Sequence, residues 1–145
     1  QDLFVTTAFG LKFLADQHVD QTEIDSYDFL IIPGGKYVSE VIDHSTHIQA
    51  LIQAFLQKNK VISAICAGPR FLGRLGILDH QHFTAYLGSE KDMPKGLYHP
   101  EQKAVIDGKI ITARGAGAVY EFAYEITKYF MGEERANWLL KNILY

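Results

Sequence analysis

Short continuous runs of apolar residues alternate along this chain with segments in which apolar residues recur every three or four positions. The clearest runs are residues 27–32 (YDFLII), which Pro33 and two glycines follow, and residues 61–65 (VISAI). Such runs are typical of parallel strands that helices cover on both faces. Between them, Ser45 is the predicted N-cap of a helix whose apolar positions follow helical spacing: Ile48, Leu51, Ile52, Phe55 and Leu56.

Further strand and helix signals occupy both ends of the chain. Residues 4–7, the stretch near His18 and Val19, and residues 83–86 (FTAY) predict short strands, and residues 104–113 predict a hairpin that turns at Asp107 and Gly108. Two helices close the chain, with predicted core faces made of Phe122, Ile126 and Phe130, and then of Ala136, Leu139, Leu140 and Ile143. Repeated strand–helix units predict an α/β sandwich around a mostly parallel sheet.

Three turns lie at the predicted carboxyl edge of this sheet. They are residues 33–35 (PGG), 66–68 (CAG) and 114–117 (RGAG). In open α/β sheets, ligands bind beyond the carboxyl ends of the strands. The sequence therefore predicts a functional site where these turns meet.

Cys66 is the single cysteine of the chain, and it directly follows the apolar run that ends at Ile65. Residues 70–75 (RFLGRL) then take up a helical rhythm, and a strand that turns sharply into a helix lifts the turn residue to the sheet edge. There the helix N-terminus favours a thiolate. A lone cysteine is otherwise a small buried hydrophobe. The strand–Cys–Ala–Gly–helix context favours a nucleophile.

The glycine turns also have a chemical interpretation. Gly34 and Gly35 can expose backbone N–H groups because no Cβ shields them, and with the N–H of Ala67 they would form an oxyanion hole beside a thiolate that attacks a carbonyl. The alternative for the glycines is a structural turn. Residues 115–117 (GAG) are a poor match to a dinucleotide loop because Tyr120 occupies the position of the third glycine.

Length, charge and cysteine count exclude several classes. The 145 residues suit one domain over 1–145, and a net charge of −3 gives no basis for binding nucleic acid or an anionic membrane. One cysteine excludes a disulfide framework and suits a reducing compartment such as the cytoplasm. No apolar run has membrane-spanning length.

Histidine, serine and phosphate-loop signals add no competing site. The pairs His44 with His47 and His80 with His82 lack a carboxylate or thiol at ligand spacing, so solvated loops and no metal site are predicted. The chain has no Gly-x-Ser-x-Gly turn and no Walker phosphate loop.

Motifs in order along the chain resemble those of the ThiJ/PfpI superfamily, and most closely the branch of the parkinsonism-associated protein deglycase. They are residues 27–35 (YDFLIIPGG), 64–69 (AICAGP), 107–115 (DGKIITARG) and 121–123 (EFA). The resemblance covers essentially all of the chain. It implies a flavodoxin-like three-layer sandwich, similar to class I glutamine amidotransferases, that forms a homodimer and uses no cofactor.

The same resemblance assigns roles to individual residues. It implies that Cys66 is the reactive, oxidation-sensitive cysteine and that Gly35 and Ala67 are the oxyanion donors. Gly115 and Ala116 match the loop that lines the pocket. Gly34 and Tyr86 complete the predicted pocket.

This chain departs from the family pattern at several positions. Ala67 replaces the histidine that follows the cysteine in the protease-like branch, which argues against peptidase chemistry. Tyr86 stands where the deglycase branch often has a histidine twenty positions after the cysteine, and tyrosine is a poor proton shuttle near neutrality. Ala116 replaces the proline of the family's Gly-Pro-Gly loop.

The family domain begins with a strand whose final glutamate contacts the cysteine and tunes it. No glutamate of this chain follows a suitable apolar run, and nothing before Phe4 supplies that strand. By resemblance, a strand, a helix and a second strand are missing. Because loss of a central strand would leave backbone groups unpaired, we expect a separate polypeptide, or residues before Gln1, to complete the domain.

The resemblance leaves three functions open. The leading one is a cofactor-independent cysteine enzyme, a deglycase or glyoxalase, in which Cys66 attacks a reactive carbonyl or its adduct on an amine or thiol. The second is an oxidation sensor that acts through Cys66 without turnover. The third is an amidase or amidotransferase-like hydrolase, for which no basic partner of Cys66 is identified.

Overall fold

The computed structural model describes residues 3–145, which contain eight strands and five α-helices. In chain order they are β1 (Phe4–Thr6), β2 (Lys12–Leu14), β3 (Phe29–Ile32), α1 (Lys36–Val41), α2 (Thr46–Gln57), β4 (Val61–Ile65), α3 (Pro69–Arg74), β5 (His82–Phe83), β6 (Leu97–Tyr98), β7 (Ala104–Asp107), β8 (Ile110–Ala113), α4 (Val119–Met131) and α5 (Glu133–Asn142).

The central sheet has four strands in the order β3-β4-β8-β7. β3 and β4 are parallel, β4 and β8 are parallel, and β7 returns antiparallel to β8 through the predicted hairpin. Ile32 pairs with Ala64, and Ile65 pairs with Ala113, so the three parallel strands end at the same edge. The three predicted turns follow those strand ends and are therefore neighbours.

β4 is covered on both faces, as its continuous apolar run predicts. Ile62 and Ala64 pack into one buried cluster with Phe55 of α2 and Leu72 of α3. Val61 of the same strand packs into a second cluster with α4. A sheet between two helical layers is the predicted sandwich.

Two strand predictions are wrong. The stretch near His18 forms a 3₁₀ turn, Val19–Gln21, in place of a strand. The strand predicted over 83–86 is limited to β5, which ends at Phe83, because Thr84 bonds to a side chain of β8 and leaves the ladder: its N–H donates to Thr112 Oγ1 at 2.9 Å.

The closing helices bury less of their predicted faces than expected. Phe122 and Ala136 are buried, but Phe130 and Ile143 are 40% and 44% exposed. Phe130 lies near the end of α4, where its ring contacts that of Phe29 of β3 with 5.0 Å between the ring centroids, and Ile143 lies just after the end of α5. Ser45 is the N-cap residue of α2, yet its hydroxyl makes no capping hydrogen bond, and within residues 3–145 its buried Oγ has no partner.

β1 and β2 form a separate antiparallel hairpin whose apolar side chains are exposed. Across residues 3–145, none of the helices combines the length and the apolar character needed to cross a membrane.

Candidate functional site at Cys66

Cys66 occupies a strained turn immediately after β4. Its φ is +63°, a left-handed conformation that costs a residue with a Cβ about 1–2 kcal/mol. Two backbone hydrogen bonds hold it there: its N–H donates to Ala113 O at 2.8 Å, and its carbonyl accepts from the N–H of Tyr86 at 2.9 Å. The turn is thus fixed between β8 and the loop that follows β5.

Two glycines allow the chain to pass close to this turn. A Cβ on Gly34 would lie 2.6 Å from Cys66 Cβ and 2.7 Å from Ala67 N, and a Cβ on Gly68 would lie 2.4 Å from Ile32 O. Real Cβ atoms do not approach other atoms so closely, so both positions require glycine. Gly34 therefore supports Cys66 by close packing.

A cleft of about 450 Å³ opens beside Cys66, which is partly buried. Predicted residues Gly35, Ala67 and Tyr86 line it together with Cys66. Within residues 3–145, the backbone N–H groups of Gly35 and Ala67 have no hydrogen-bond acceptor. An oxyanion hole requires N–H donors that are free of other acceptors. Gly34 is not among the residues that line the cleft.

The remaining predicted pocket residues lie in a neighbouring cleft. Gly115 and Ala116 line a space of about 530 Å³, and Tyr86 lies on the boundary of both clefts. The ring of Tyr86 packs beside Gly115: a Cβ there would lie 3.8 Å from Tyr86 Cδ2. The structure therefore brings the two groups together through Tyr86 and does not place them in one pocket.

Sequence reasoning missed the polar side chains of the Cys66 cleft. Lys36, Ser39, Arg70 and Ser89 all line it. Arg70 lies in the first turn of α3, four residues after Cys66, and its nearness to that cysteine in the chain is a usable signal. Ser89 lies in a 3₁₀ turn far along the chain, and nothing in its sequence context points to the cleft.

Arg70 is held in place by two contacts. Its Nε donates to Asp92 Oδ2, and its Nη1 donates to Ser39 Oγ at 2.7 Å. Asp92 also accepts from Nε of Arg74 at 2.9 Å. The carboxylate of Asp92 is thus shared by two arginines, of which Arg70 lines the cleft and Arg74 does not.

Tyr98 lines the neighbouring cleft, and burial raises the pKa of its phenol above the ordinary 10.0, with Glu90 adding to the shift and Arg114 opposing it. The phenol therefore stays protonated at neutral pH. Its hydroxyl donates to Ala85 O at 3.4 Å, next to Tyr86 in the chain.

Two histidines meet in a contact that the sequence did not predict. His82 Nδ1 lies 2.7 Å from His99 Nε2, because β5 and β6 run in parallel and place both rings on one face. His80 is not part of this contact. In the part of the chain that the structure describes, no group of three or more His, Cys, Asp or Glu side chains is placed to hold a metal ion.

Comparison with known proteins identifies the family. A profile of the DJ-1/PfpI family matches residues 1–129. The chain belongs to the DJ-1/PfpI family. The ThiJ/PfpI resemblance is thereby confirmed, and its predicted branch is supported by a relative named protein dj-1beta of Drosophila melanogaster, 29% identical over 135 residues, covering 92% of this chain and 72% of that protein.

Members of the DJ-1/PfpI family with similar sequences have names that refer to two related activities. The chain is 31% identical over 137 residues to glutathione-independent glyoxalase DJR-1.2 of Caenorhabditis elegans, covering 94% of this chain and 73% of that protein. It is 27% identical over 125 residues to deglycase PfpI of Pyrococcus furiosus, covering 86% and 75%.

Solved structures of the family share the fold. The crystal structure of Drosophila melanogaster DJ-1beta has a TM-score of 0.87 at 28% identity, covering 97% of this chain and 76% of that one. The predicted flavodoxin-like fold, similar to class I glutamine amidotransferases, is confirmed by this likeness.

Proposed function

We propose that this protein is a cofactor-independent cysteine enzyme that acts on reactive carbonyls, as a glyoxalase or a deglycase. The observation that carries the proposal is the position of Cys66 at a strained, partly buried turn beside the unpaired N–H groups of Gly35 and Ala67. The names of the related glyoxalase and deglycase support the same class of chemistry.

The reaction begins when the Cys66 thiolate adds to an aldehyde carbon. A C–S bond forms, the carbonyl π pair moves to oxygen, and the N–H groups of Gly35 and Ala67 stabilise the resulting alkoxide. With methylglyoxal, transfer of the aldehyde hydrogen to the neighbouring carbon, as a proton and an electron pair, gives a thioester. Water then hydrolyses the thioester to lactate and releases Cys66. No external oxidant or reductant is needed.

Deglycation differs in the first step and then joins the same path. When methylglyoxal is bound as an early adduct, the Cys66 thiolate forms a C–S bond to the carbon that carries the amine or thiol, the bond to that group breaks, and the leaving group takes a proton. The resulting hemithioacetal on Cys66 then undergoes the same hydrogen transfer and thioester hydrolysis, which gives lactate and the free amine or thiol. The glyoxalase and deglycase reactions therefore differ in their substrates, and both depend on Cys66 as the nucleophile.

Turnover of methylglyoxal by the wild-type protein and by Cys66→Ala tests the proposal. We expect lactate formation by the wild type and its loss in Cys66→Ala, with thermal melting used to show that the variant is folded. Equal lactate formation by the two proteins would overturn the assignment of Cys66.

Tyr86 provides a second test at the same cleft. We propose that its phenol packs at the rim and does not shuttle protons, because tyrosine is a poor proton shuttle near neutrality. Tyr86→Phe should therefore keep most of the turnover. Tyr86→His introduces a base that titrates near neutrality and should give turnover a new dependence on pH between about 6 and 7.

A strand that pairs with β3 would complete both the sheet and the site. Within residues 3–145, β3 pairs with β4 alone, and Ile31 at this edge is 46% exposed beside a groove of about 340 Å³. A strand added in parallel would end at the Cys66 edge, and the glutamate that the family resemblance implies at its end would supply a carboxylate there for proton transfer. Native mass spectrometry that found residues 1–145 alone, stably folded and monomeric would contradict this part of the proposal.

The proposal includes a homodimer, as the family resemblance implies, and a location in the cytoplasm, which the single cysteine favours. Light scattering coupled to size exclusion measures the molar mass directly. A mass of 16.4 kDa at all concentrations would exclude the dimer.

Oxidation sensing is the second candidate function, favoured because Cys66 is partly exposed and is the single cysteine of the chain. Without a resolving cysteine, a sulfenic acid at Cys66 would proceed to a sulfinic acid or a mixed disulfide. Mass spectrometry after mild peroxide, run beside the turnover assay, separates the two functions. A stable sulfinic acid in a protein without turnover would favour the sensor.

A further inference from the structure

The charged side chains that line the Cys66 cleft are all positive. Lys36 and Arg70 are cationic, and among the described residues that line the cleft there is no aspartate or glutamate. The carboxylate partners of these cations, Glu40 and Asp92, lie outside the lining. A third acidic side chain beside the lining is that of Glu90, whose carboxylate is occupied by the N–H of the lining residue Gly88 at 2.7 Å. A cleft lined by cationic side chains and by no acidic side chain attracts anions.

Arg70 is the cation best placed to bind an anion. Its side chain is 19% exposed, so its charge is less screened than that of Lys36, whose side chain is 85% exposed. Asp92 and Ser39 occupy donors on Nε and Nη1 and fix the plane of the guanidinium. Within residues 3–145, Nη2 has no hydrogen-bond partner. A fixed guanidinium with free donors suits the planar oxygens of a carboxylate or the oxygens of a phosphate.

The position of Arg70 relative to Cys66 determines which part of a substrate would carry the anionic group. The two residues lie four positions apart, and both line the same cleft of about 450 Å³. A ligand that fills this space can contact both the thiol and the guanidinium.

We propose that Arg70 forms an anion-binding subsite, so that the preferred substrate is a carbonyl compound or adduct that carries a carboxylate or phosphate beside the reacting carbonyl. The identity of the substrate in this inference rests on the proposed function. The subsite itself is tested without turnover, through the reactivity of the single cysteine.

Alkylation of Cys66 by iodoacetate and by iodoacetamide is the direct test. The two reagents are similar in size and differ in charge, and Cys66 is the single thiol of the chain, so intact mass reports the rate of each. The rate with iodoacetate is divided by the rate with iodoacetamide, and this ratio is divided by the same ratio for free N-acetylcysteine. The resulting normalised ratio measures the preference of the cleft for an anion. We expect Arg70→Gln to lower the normalised ratio by about three- to tenfold, the range expected for one partly exposed charge-assisted contact. Added sodium chloride should weaken the preference of the wild type.

Arg74→Gln is the matched control. Arg74 binds the same Asp92 carboxylate, with Nε to Oδ1 at 2.9 Å, but does not line the cleft. We expect Arg74→Gln to leave the ratio near the wild-type value. If it lowers the ratio as much as Arg70→Gln, or if Arg70→Gln leaves the ratio unchanged, the subsite is refuted. Lys36→Gln, at an exposed position, gives a smaller decrease and serves if Arg70→Gln does not fold.

Two further arms define the anion and separate the hypotheses. Protection of Cys66 from iodoacetamide by sodium phosphate and by sodium acetate, at equal ionic strength, distinguishes a phosphate site from a carboxylate site. Protection by neither anion refutes both kinds of site.

Methylglyoxal adducts of N-acetylcysteine and of its amide then test turnover, with the carboxylate adduct expected to have the lower KM. Charge-selective alkylation without turnover would retain the subsite and refute the enzyme; turnover without charge selectivity would do the reverse.

Discussion

Gly34 lies against Cys66 so closely that a methyl group on Gly34 would lie 2.6 Å from the Cys66 Cβ. The strand end of β3 thereby packs directly under the turn that follows β4. The position of the thiol depends on a residue that does not itself line the cleft.

Gly34→Ala should therefore displace the turn at Cys66. The added methyl group meets Cys66 Cβ and Ala67 N, and overpacking of this kind costs about 1–3 kcal/mol of the free energy of unfolding. We expect a lower denaturation midpoint and a changed rate of Cys66 alkylation. Gly117→Ala is the control, because a Cβ at Gly117 has no neighbour within 4 Å. Equal stability of the two variants would contradict the close packing.

The strain at Cys66 gives a prediction that is independent of catalysis. At φ +63°, glycine is relaxed and alanine is not, so Cys66→Gly should be more stable than Cys66→Ala by about 1 kcal/mol. Chemical denaturation of the two variants measures the difference. A more stable Cys66→Ala would mean that the turn does not hold this residue in the left-handed region.

Thr112 fixes the start of the loop that leads to Tyr86. Its Oγ1 accepts from the N–H of Thr84 at 2.9 Å, and both residues are fully buried. Thr112→Val keeps the volume but leaves that N–H unsatisfied, which costs about 1–3 kcal/mol. We expect faster hydrogen exchange at the Thr84 amide in Thr112→Val. Thr112→Ser keeps the acceptor and should retain the protection of that amide; loss of protection in both variants would exclude the hydroxyl as its cause.

Glu121 connects α4 to the C-terminal residue. Burial alone would raise the pKa of its carboxyl, but hydrogen bonds from Lys103 and Tyr145 outweigh this effect and lower the pKa below the ordinary 4.5. The Glu121 carboxylate and the Tyr145 hydroxyl raise the pKa of Lys103 above 10.5.

The two shifts define a pH window for stability. A lowered carboxyl pKa stabilises the folded state above the unfolded value, and this contribution is lost as pH falls below 4.5 through the folded pKa. A raised lysine pKa stabilises below 10.5 and is lost as pH rises through the folded pKa. Glu121→Gln should therefore be less stable than the wild type at pH 7, and the difference should shrink below pH 4.5.

Glu125→Gln is the matched control for this prediction. Glu125 lies one helical turn further along α4 and forms no ion pair within residues 3–145. Its substitution should leave the pH dependence of the denaturation midpoint unchanged. A difference between wild type and Glu121→Gln that persists unchanged to pH 3 would contradict the assignment.

Much of the central fold was predictable because its signals are local. The apolar runs that became β3 and β4, the glycine turn after β3, and the hairpin of β7 and β8 each depend on a few consecutive residues. Tyr86 was predicted as a pocket residue and lies at the rim of the cleft, but its strand was not formed, since Thr84 is bound by a side chain from β8.

The sequence by itself determined that a cysteine follows a buried strand and lies at the same sheet edge as two glycine-containing turns, because parallel strands carry their carboxyl ends to one edge. Only the tertiary structure decided what surrounds that cysteine. Arg70 gains its orientation from Asp92 and Ser39, 22 and 31 residues away, and His82 meets His99 across 17 residues. Contacts between distant segments depend on how the elements pack, and no local pattern in the chain encodes them.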